Sequence, residues 1–145
     1  GERNYQNLHN EAKARLNQQQ WEYFHLYPFL KSEIKHVFTS ANLIISRAGA
    51  GSIFEIAYLG KPSIIIPLPN SAQDHQLENA YEYSRYGAAI VIEQQNLTPH
   101  LFLDNIARII SDEQLSKQMS ENALKFASPN AARKIAEEVF YFAEL

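Results

Sequence analysis

The sequence predicts an α/β domain of the doubly wound type, a parallel sheet covered by helices on both faces. Three observations carry this. The runs Asn42-Leu43-Ile44-Ile45-Ser46, Ser63-Ile64-Ile65-Ile66-Pro67-Leu68 and Ala88-Ala89-Ile90-Val91-Ile92 are apolar along most of their length instead of alternating, the pattern of strands buried on both faces. Each is separated from the next by a segment of helical composition, which implies parallel strands joined by right-handed crossovers. The 145 residues, 46% of them apolar, make one domain of ordinary size with a core that needs no cross-link.

The first element, Tyr5 to Gln20, is polar and rich in helix formers (Glu11, Ala12, Lys13, Ala14, Arg15, Leu16), with Leu8, Ala12 and Leu16 on one face; it reads as a solvent-exposed helix. Trp21 to Tyr27 is aromatic and ends at Pro28, which suits a strand that stops where the ring denies a ladder donor, with Phe29 and Leu30 in its exit loop. Ser32 to Ser40 reads as a short helix. The strand at Asn42 to Ser46 runs into the loop Arg47-Ala48-Gly49-Ala50-Gly51, and a helix follows. Its punctuation is clear: Ser52 as cap, Glu55 as capping-box partner, Gly60 and Pro62 at the end.

After the strand Ser63 to Leu68 comes a loop, Pro69 to Gln73, and a helix from Asp74 to Tyr86, capped by Asp74 and stopped by Gly87. Ala88 to Ile92 is a further strand. Thr98-Pro99 opens another helix, the proline standing at the first helical position, where its missing N–H is harmless. Asp112 to Ala127 and Asn130 to Leu145 read as helix broken at Ser128-Pro129.

Composition excludes several roles. Thirteen Lys and Arg against sixteen Asp and Glu give a formal charge of −3, which disfavours a nucleic-acid surface or a polybasic membrane anchor. With no cysteine, disulfides, thiolate zinc sites and Cys nucleophiles are out. The apolar runs are far short of the ~20 residues of a membrane helix. The start, Gly1-Glu2-Arg3-Asn4-Tyr5, has no initiator Met and leads straight into a polar helix, so the chain reads as a piece of a longer one.

Ligands of open α/β sheets bind beyond the carboxyl ends of the strands, so the loops after Tyr27, Ser46 and Leu68 are expected to share one rim. Gly49-Ala50-Gly51-Ser52 has small residues that let a ligand approach the backbone, and it feeds a helix whose free N–H groups attract phosphate. The same sequence also fits a plain tight turn. Glu55 either closes the capping box on Ser52 or accepts from two ribose hydroxyls. Asp74-His75-Gln76 begins a helix, with His75 and Gln76 offering donors and acceptors suited to sugar hydroxyls. Arg47 could face a phosphate or pair with a surface carboxylate. No metal site is expected, since Asp74 beside His75 does not converge on a cation, and no catalytic triad or carboxylate pair can be assembled.

The run Ala41 to Ser52 with Arg47-Ala48-Gly49-Ala50-Gly51 at its centre, then Glu55, Gly60-Lys61-Pro62, Ile66-Pro67-Leu68-Pro69, Asp74-His75-Gln76 and Asn79-Ala80, resembles the nucleotide-sugar-binding C-terminal domain of the MurG glycosyltransferases. These are bacterial enzymes of the GT-B fold that convert lipid I to lipid II. The resemblance implies a Rossmann-like fold and a hexosyltransferase that moves N-acetylglucosamine from UDP-N-acetylglucosamine to lipid I with inversion, without a cofactor or metal. It implies that Leu30 reads the uracil edge through its main chain, and that Ala50, Gly51 and Ser52 meet the diphosphate and sugar. It makes Glu55 the ribose ligand and Gln76 the holder of the sugar hydroxyls; His75 stands where some members have a second glutamine.

Residues 1–145 would then be a partial donor-binding domain. The family's first strand and Gly-Gly-Ser loop, and the acceptor domain with the catalytic base, would lie outside it. Lipid I and the membrane would be met through that other domain, placing the whole enzyme on the cytoplasmic face of the bacterial inner membrane. The piece alone would be inactive and would bind its donor weakly. Other readings are the donor domain of a different GT-B enzyme, such as a eukaryotic subunit or a glycolipid synthase, and a non-catalytic nucleotide-sugar-binding or assembly module.

Overall fold

The computed structural model describes residues 2–69, 75–127 and 131–143. Contacts divide the chain into a first unit, residues 1–37, and a second, residues 38–145. The first unit holds α1 (Glu2–Arg15) and α2 (Gln18–Tyr23), and α3 (Ile34–Ser40) crosses into the second. The second continues with β1 (Ile44–Ser46), α4 (Ala50–Tyr58), β2 (Ser63–Ile65), α5 (His75–Arg85), β3 (Ala89–Val91), α6 (Pro99–Ser111), α7 (Glu113–Phe126) and α8 (Ala131–Ala143). Among the described residues no helix is long and apolar enough to cross a membrane.

The strand expected at Trp21 to Tyr27 is not there. Asn17 and Gln20 form a reciprocal capping box, Asn17 Oδ1 accepting from Gln20 N–H at 2.9 Å and Gln20 Oε1 from Asn17 N–H at 3.1 Å. That starts a short helix through Trp21 instead. The aromatics that suggested a strand pack on each other: the Trp21 ring meets His9 edge-on at 5.4 Å and Phe24 at 5.9 Å. The opening helix is as expected but ends at Arg15.

In the second unit β1, β2 and β3 form a parallel sheet in that order, with Ile45 opposite Ile64 and Ile64 opposite Ile90. Alternation along the strands sends side chains to two cores. On one face Ile44, Ile65 and Ala89 pack with Ile53, Ile56 and Ala57 of α4 and Ala80 and Tyr83 of α5. On the other, Ile64 and Ile92 pack with Ile109 of α6 and Met119 of α7. The sheet is therefore covered on both faces, as the unbroken apolar strands predicted. Ile45, on the edge strand, keeps 42% of its surface exposed.

The helix stops fall where the glycines put them. Gly60 has φ +60° and Gly87 φ +71°, the left-handed region that other residues enter at a cost. A Cβ on Gly60 would lie 2.9 Å from Leu124 Cγ. Gly60→Ala is thus expected to destabilise the domain by about 1–3 kcal/mol, read as a lower thermal midpoint. Thr98 caps α6 by accepting from Leu101 N–H at 3.2 Å, with Pro99 in the first turn, and Asp112 caps α7 by accepting from Leu115 N–H at 2.9 Å. The cap expected of Asp74 and the break at Ser128-Pro129 lie outside the described residues.

Candidate functional site

The carboxyl ends of the parallel strands bring three loops to one edge of the second unit. The loop after β1 is short: Arg47, buried Ala48 and Gly49, then α4. Gly49 is the N-cap, extended at φ −64° and ψ 134°, and no side chain caps it. Ile53 N–H donates to Gly49 O at 3.0 Å and begins the helical ladder. The N–H groups of Ala50, Gly51 and Ser52, in the first turn, have no acceptor within the helix. They and the helix dipole favour a negative charge there.

This corrects the expected cap. Ser52 stands at the third helical position and Glu55 in the helix interior, so the Ser52–Glu55 box does not form. The helix starts earlier: Ala48 is buried in the core, and the chain turns directly from Gly49. Ser52 Oγ lies 3.8 Å from where a Cβ on Gly49 would be, while a Cβ on Gly51 would meet nothing within 4 Å. Gly51 therefore stands at an open surface. Glu55 is exposed, and its carboxylate makes no hydrogen bond or ion pair among the described residues. Gly51 and Glu55 are one turn apart on the solvent face of α4, opposite the buried Ile53, Ile56 and Ala57.

Three side chains tie the loop after β1, the exit of β2 and α5 together. Arg47 Nη1 donates to Ile66 O at 3.2 Å and to Pro67 O at 3.4 Å. Gln76, half-buried at the start of α5, accepts from Leu68 N–H through Oε1 at 3.0 Å. Asn79 Nδ2 donates to Ala48 O at 3.2 Å. Arg47 thus reaches backbone carbonyls and, among the described residues, no surface carboxylate, one of the two partners that its position suggested. His75 is exposed at the start of α5.

The expectation that Tyr27 would end a strand on the same rim fails with that strand. Leu30 is half-buried in the first unit, in an open cleft with Tyr27, Pro28, Phe29, Glu33 and Val37. The third rim loop is instead the one after β3, which the sequence reading left out. There Glu93 accepts from the Tyr81 hydroxyl and from Gln95 Nε2. The Glu93 carboxylate raises the Tyr81 hydroxyl pKa, through that hydrogen bond first and its charge last, with burial between. Extending the strand-end rule to Ala88 to Ile92 would have found this loop. Among the described residues no three His, Asp or Glu side chains converge as metal ligands do.

Residues 1–139 match the glycosyltransferase family 28 C-terminal domain. The chain belongs to that family. Among the relatives of the family 28 domain is a UDP-N-acetylglucosamine–N-acetylmuramyl-(pentapeptide) pyrophosphoryl-undecaprenol N-acetylglucosamine transferase of Finegoldia magna. It is 32% identical over 120 residues, which cover 83% of this chain and 32% of the relative. The transferase of the same name from Phocaeicola vulgatus is 38% identical over 135 residues, 92% of this chain and 35% of the relative. The crystal structure of Acinetobacter baumannii MurG superposes with a TM-score of 0.70 at 31% identity, over 81% of this chain and 33% of that one. The chain spans about a third of the length of these relatives. The family 28 match covers both units, the Leu30 cleft as well as the loop at Gly49.

Proposed function

We propose that this chain supplies the donor-binding part of a glycosyltransferase that moves N-acetylglucosamine from UDP-N-acetylglucosamine to lipid I. The observation that carries the reading is the start of α4: uncapped by any side chain, at the carboxyl edge of a parallel sheet, with the Glu55 carboxylate exposed one turn beyond Gly51 and unengaged among the described residues. The names of the relatives support the substrate pair.

In this reading the diphosphate lies against the N–H groups of Ala50, Gly51 and Ser52 and the Ser52 hydroxyl. Glu55 accepts from the ribose hydroxyls, and Gln76 with His75 faces the sugar. Arg47 braces the loop through its two carbonyl contacts and lends positive charge beside it. An acceptor hydroxyl of lipid I displaces UDP at the anomeric carbon with inversion. Negative charge then grows on the leaving diphosphate, where the first turn of α4 has donors already oriented. The acceptor site, the general base and any contact with the cytoplasmic face of the inner membrane belong to the two thirds of the relatives that this chain does not match.

Titrating the chain with UDP, UDP-N-acetylglucosamine and ADP, followed by backbone amide resonances, tests the reading. The amides of Ala50, Gly51 and Ser52 are expected to shift with both uridine ligands and far less with ADP. Equal response to ADP, or no response in that turn, overturns it. A second experiment addresses Gln76. Gln76→Glu keeps an oxygen for Leu68 N–H and removes the amide donors, so UDP-N-acetylglucosamine is expected to bind about 5-fold more weakly while UDP binds as before. Equal losses for both ligands would make Gln76 a support of the loop and no reader of the sugar.

A further inference from the structure

Asn79 stands three residues beyond Gln76, on the same side of α5. It is half-buried, and its Nδ2 donates to Ala48 O at 3.2 Å. Ala48 itself is fully buried, so this amide satisfies a carbonyl that water does not reach. The peptide between Ala48 and Gly49 is planar and trans. Holding its oxygen toward α5 therefore turns the Gly49 N–H the opposite way, at the residue that starts α4.

Among the described residues little else fixes that peptide. Gly49 has no side chain to anchor it, and no side chain caps the helix. Arg47 and Gln76 tie the neighbouring strand exit, not the Ala48–Gly49 link. We propose that Asn79 is a positioning residue of the nucleotide-sugar site, setting the direction in which the Gly49 N–H, at the entry to the first turn of α4, meets the diphosphate without touching the ligand itself. A neutral amide suits this task, because it holds the carbonyl without adding a charge that would draw the diphosphate toward α5. The inference rests on the reading of the α4 start as the diphosphate site.

The test uses the 145-residue chain with Asn79→Ala, which deletes the donor, and Asn79→Asp, which keeps the shape while its ionised carboxylate cannot donate. UDP is the probe, at a temperature where wild type and both variants are fully folded by thermal melting. Both variants are expected to shift the Gly49 and Ala50 amide resonances before any ligand is added, and to raise the UDP dissociation constant about 5- to 10-fold. A purely structural residue would lower the melting midpoint and leave the UDP affinity of the folded protein alone. Unchanged affinity in both variants, with wild type binding normally, overturns the role of Asn79 and spares the site. Failure of wild type to bind UDP removes the site, and the role of Asn79 with it.

Discussion

Raising the pH from below 10 to about 12 is expected to remove about 2 kcal/mol of folding stability, and Tyr83→Phe to abolish most of that loss. Tyr83 is fully buried between α5 and the sheet. Burial disfavours its phenolate and pushes the hydroxyl pKa from 10.0 up to about 12; the Ser63 hydroxyl beside it, outside hydrogen-bonding geometry, offsets part of the rise. The unfolded chain releases this proton near 10 and the folded chain near 12. Stability is therefore intact below pH 10 and falls as pH rises through the window between the two values. Tyr81, raised in the same direction by Glu93, is on the surface and contributes little. At neutral pH the Phe variant is expected to melt at or above the wild-type midpoint, since neither the Tyr83 nor the Ser63 hydroxyl finds a partner among the described residues. Chemical denaturation across this pH range checks both statements; parallel stability curves for wild type and variant would refute them.

What the sequence made legible here is what depends on one residue and its neighbours. The stops at Gly60 and Gly87 require a positive φ, a demand that glycine alone meets without strain, so they were readable and are where expected. The cores on both faces followed from strands without polar alternation. The start of α4 was misread because Ser52 and Glu55 carry a genuine local capping signature, while the actual start is decided by where β1 ends and how Ala48 is held. Trp21 to Tyr27 misled for a similar reason. Aromatic content marks residues that want a packed surface, and His9 and Phe24 supply one without a sheet.

The candidate site was legible as a set of residues and not as a mechanism of assembly. Glycines before a helix, a carboxylate one turn on and polar side chains opening the next helix are visible in order along the chain. The ties that make them one edge are side chains donating to, or accepting from, backbone 8 to 31 positions away. Such contacts have no periodicity or spacing of their own, and the bond from Asn79 to Ala48 is accordingly invisible until α5 is placed beside the loop. Arg47 was visible as a charge near glycines, but its partners became clear only when β1 and β2 were paired.

Glu55→Gln is expected to weaken UDP binding about 10- to 100-fold and to leave the fold almost unchanged. The second half follows from the corrected cap: the Glu55 carboxylate closes no box on Ser52, pairs with no cation among the described residues and points from the solvent face of α4. Its replacement should therefore move folding stability by less than about 0.5 kcal/mol. The first half follows from the chemistry of the contact proposed between Glu55 and the ribose. A carboxylate accepts from two vicinal hydroxyls at once in charge-assisted bonds, whereas the amide offers one oxygen and a donor turned toward a donor, a loss of about 1.5–3 kcal/mol. One helical turn, about 5.4 Å, separates Glu55 from the open Gly51 position, a span comparable to that between a bound phosphate and the ribose joined to it. A uridine diphosphate lacking both ribose hydroxyls makes the test specific. Wild type is expected to bind it as weakly as the Gln variant binds UDP, and the substitution should change its affinity little, so that the two losses do not add. Equal loss with and without the hydroxyls would place the carboxylate elsewhere in the site, and a lower melting midpoint with unchanged UDP affinity would make it structural.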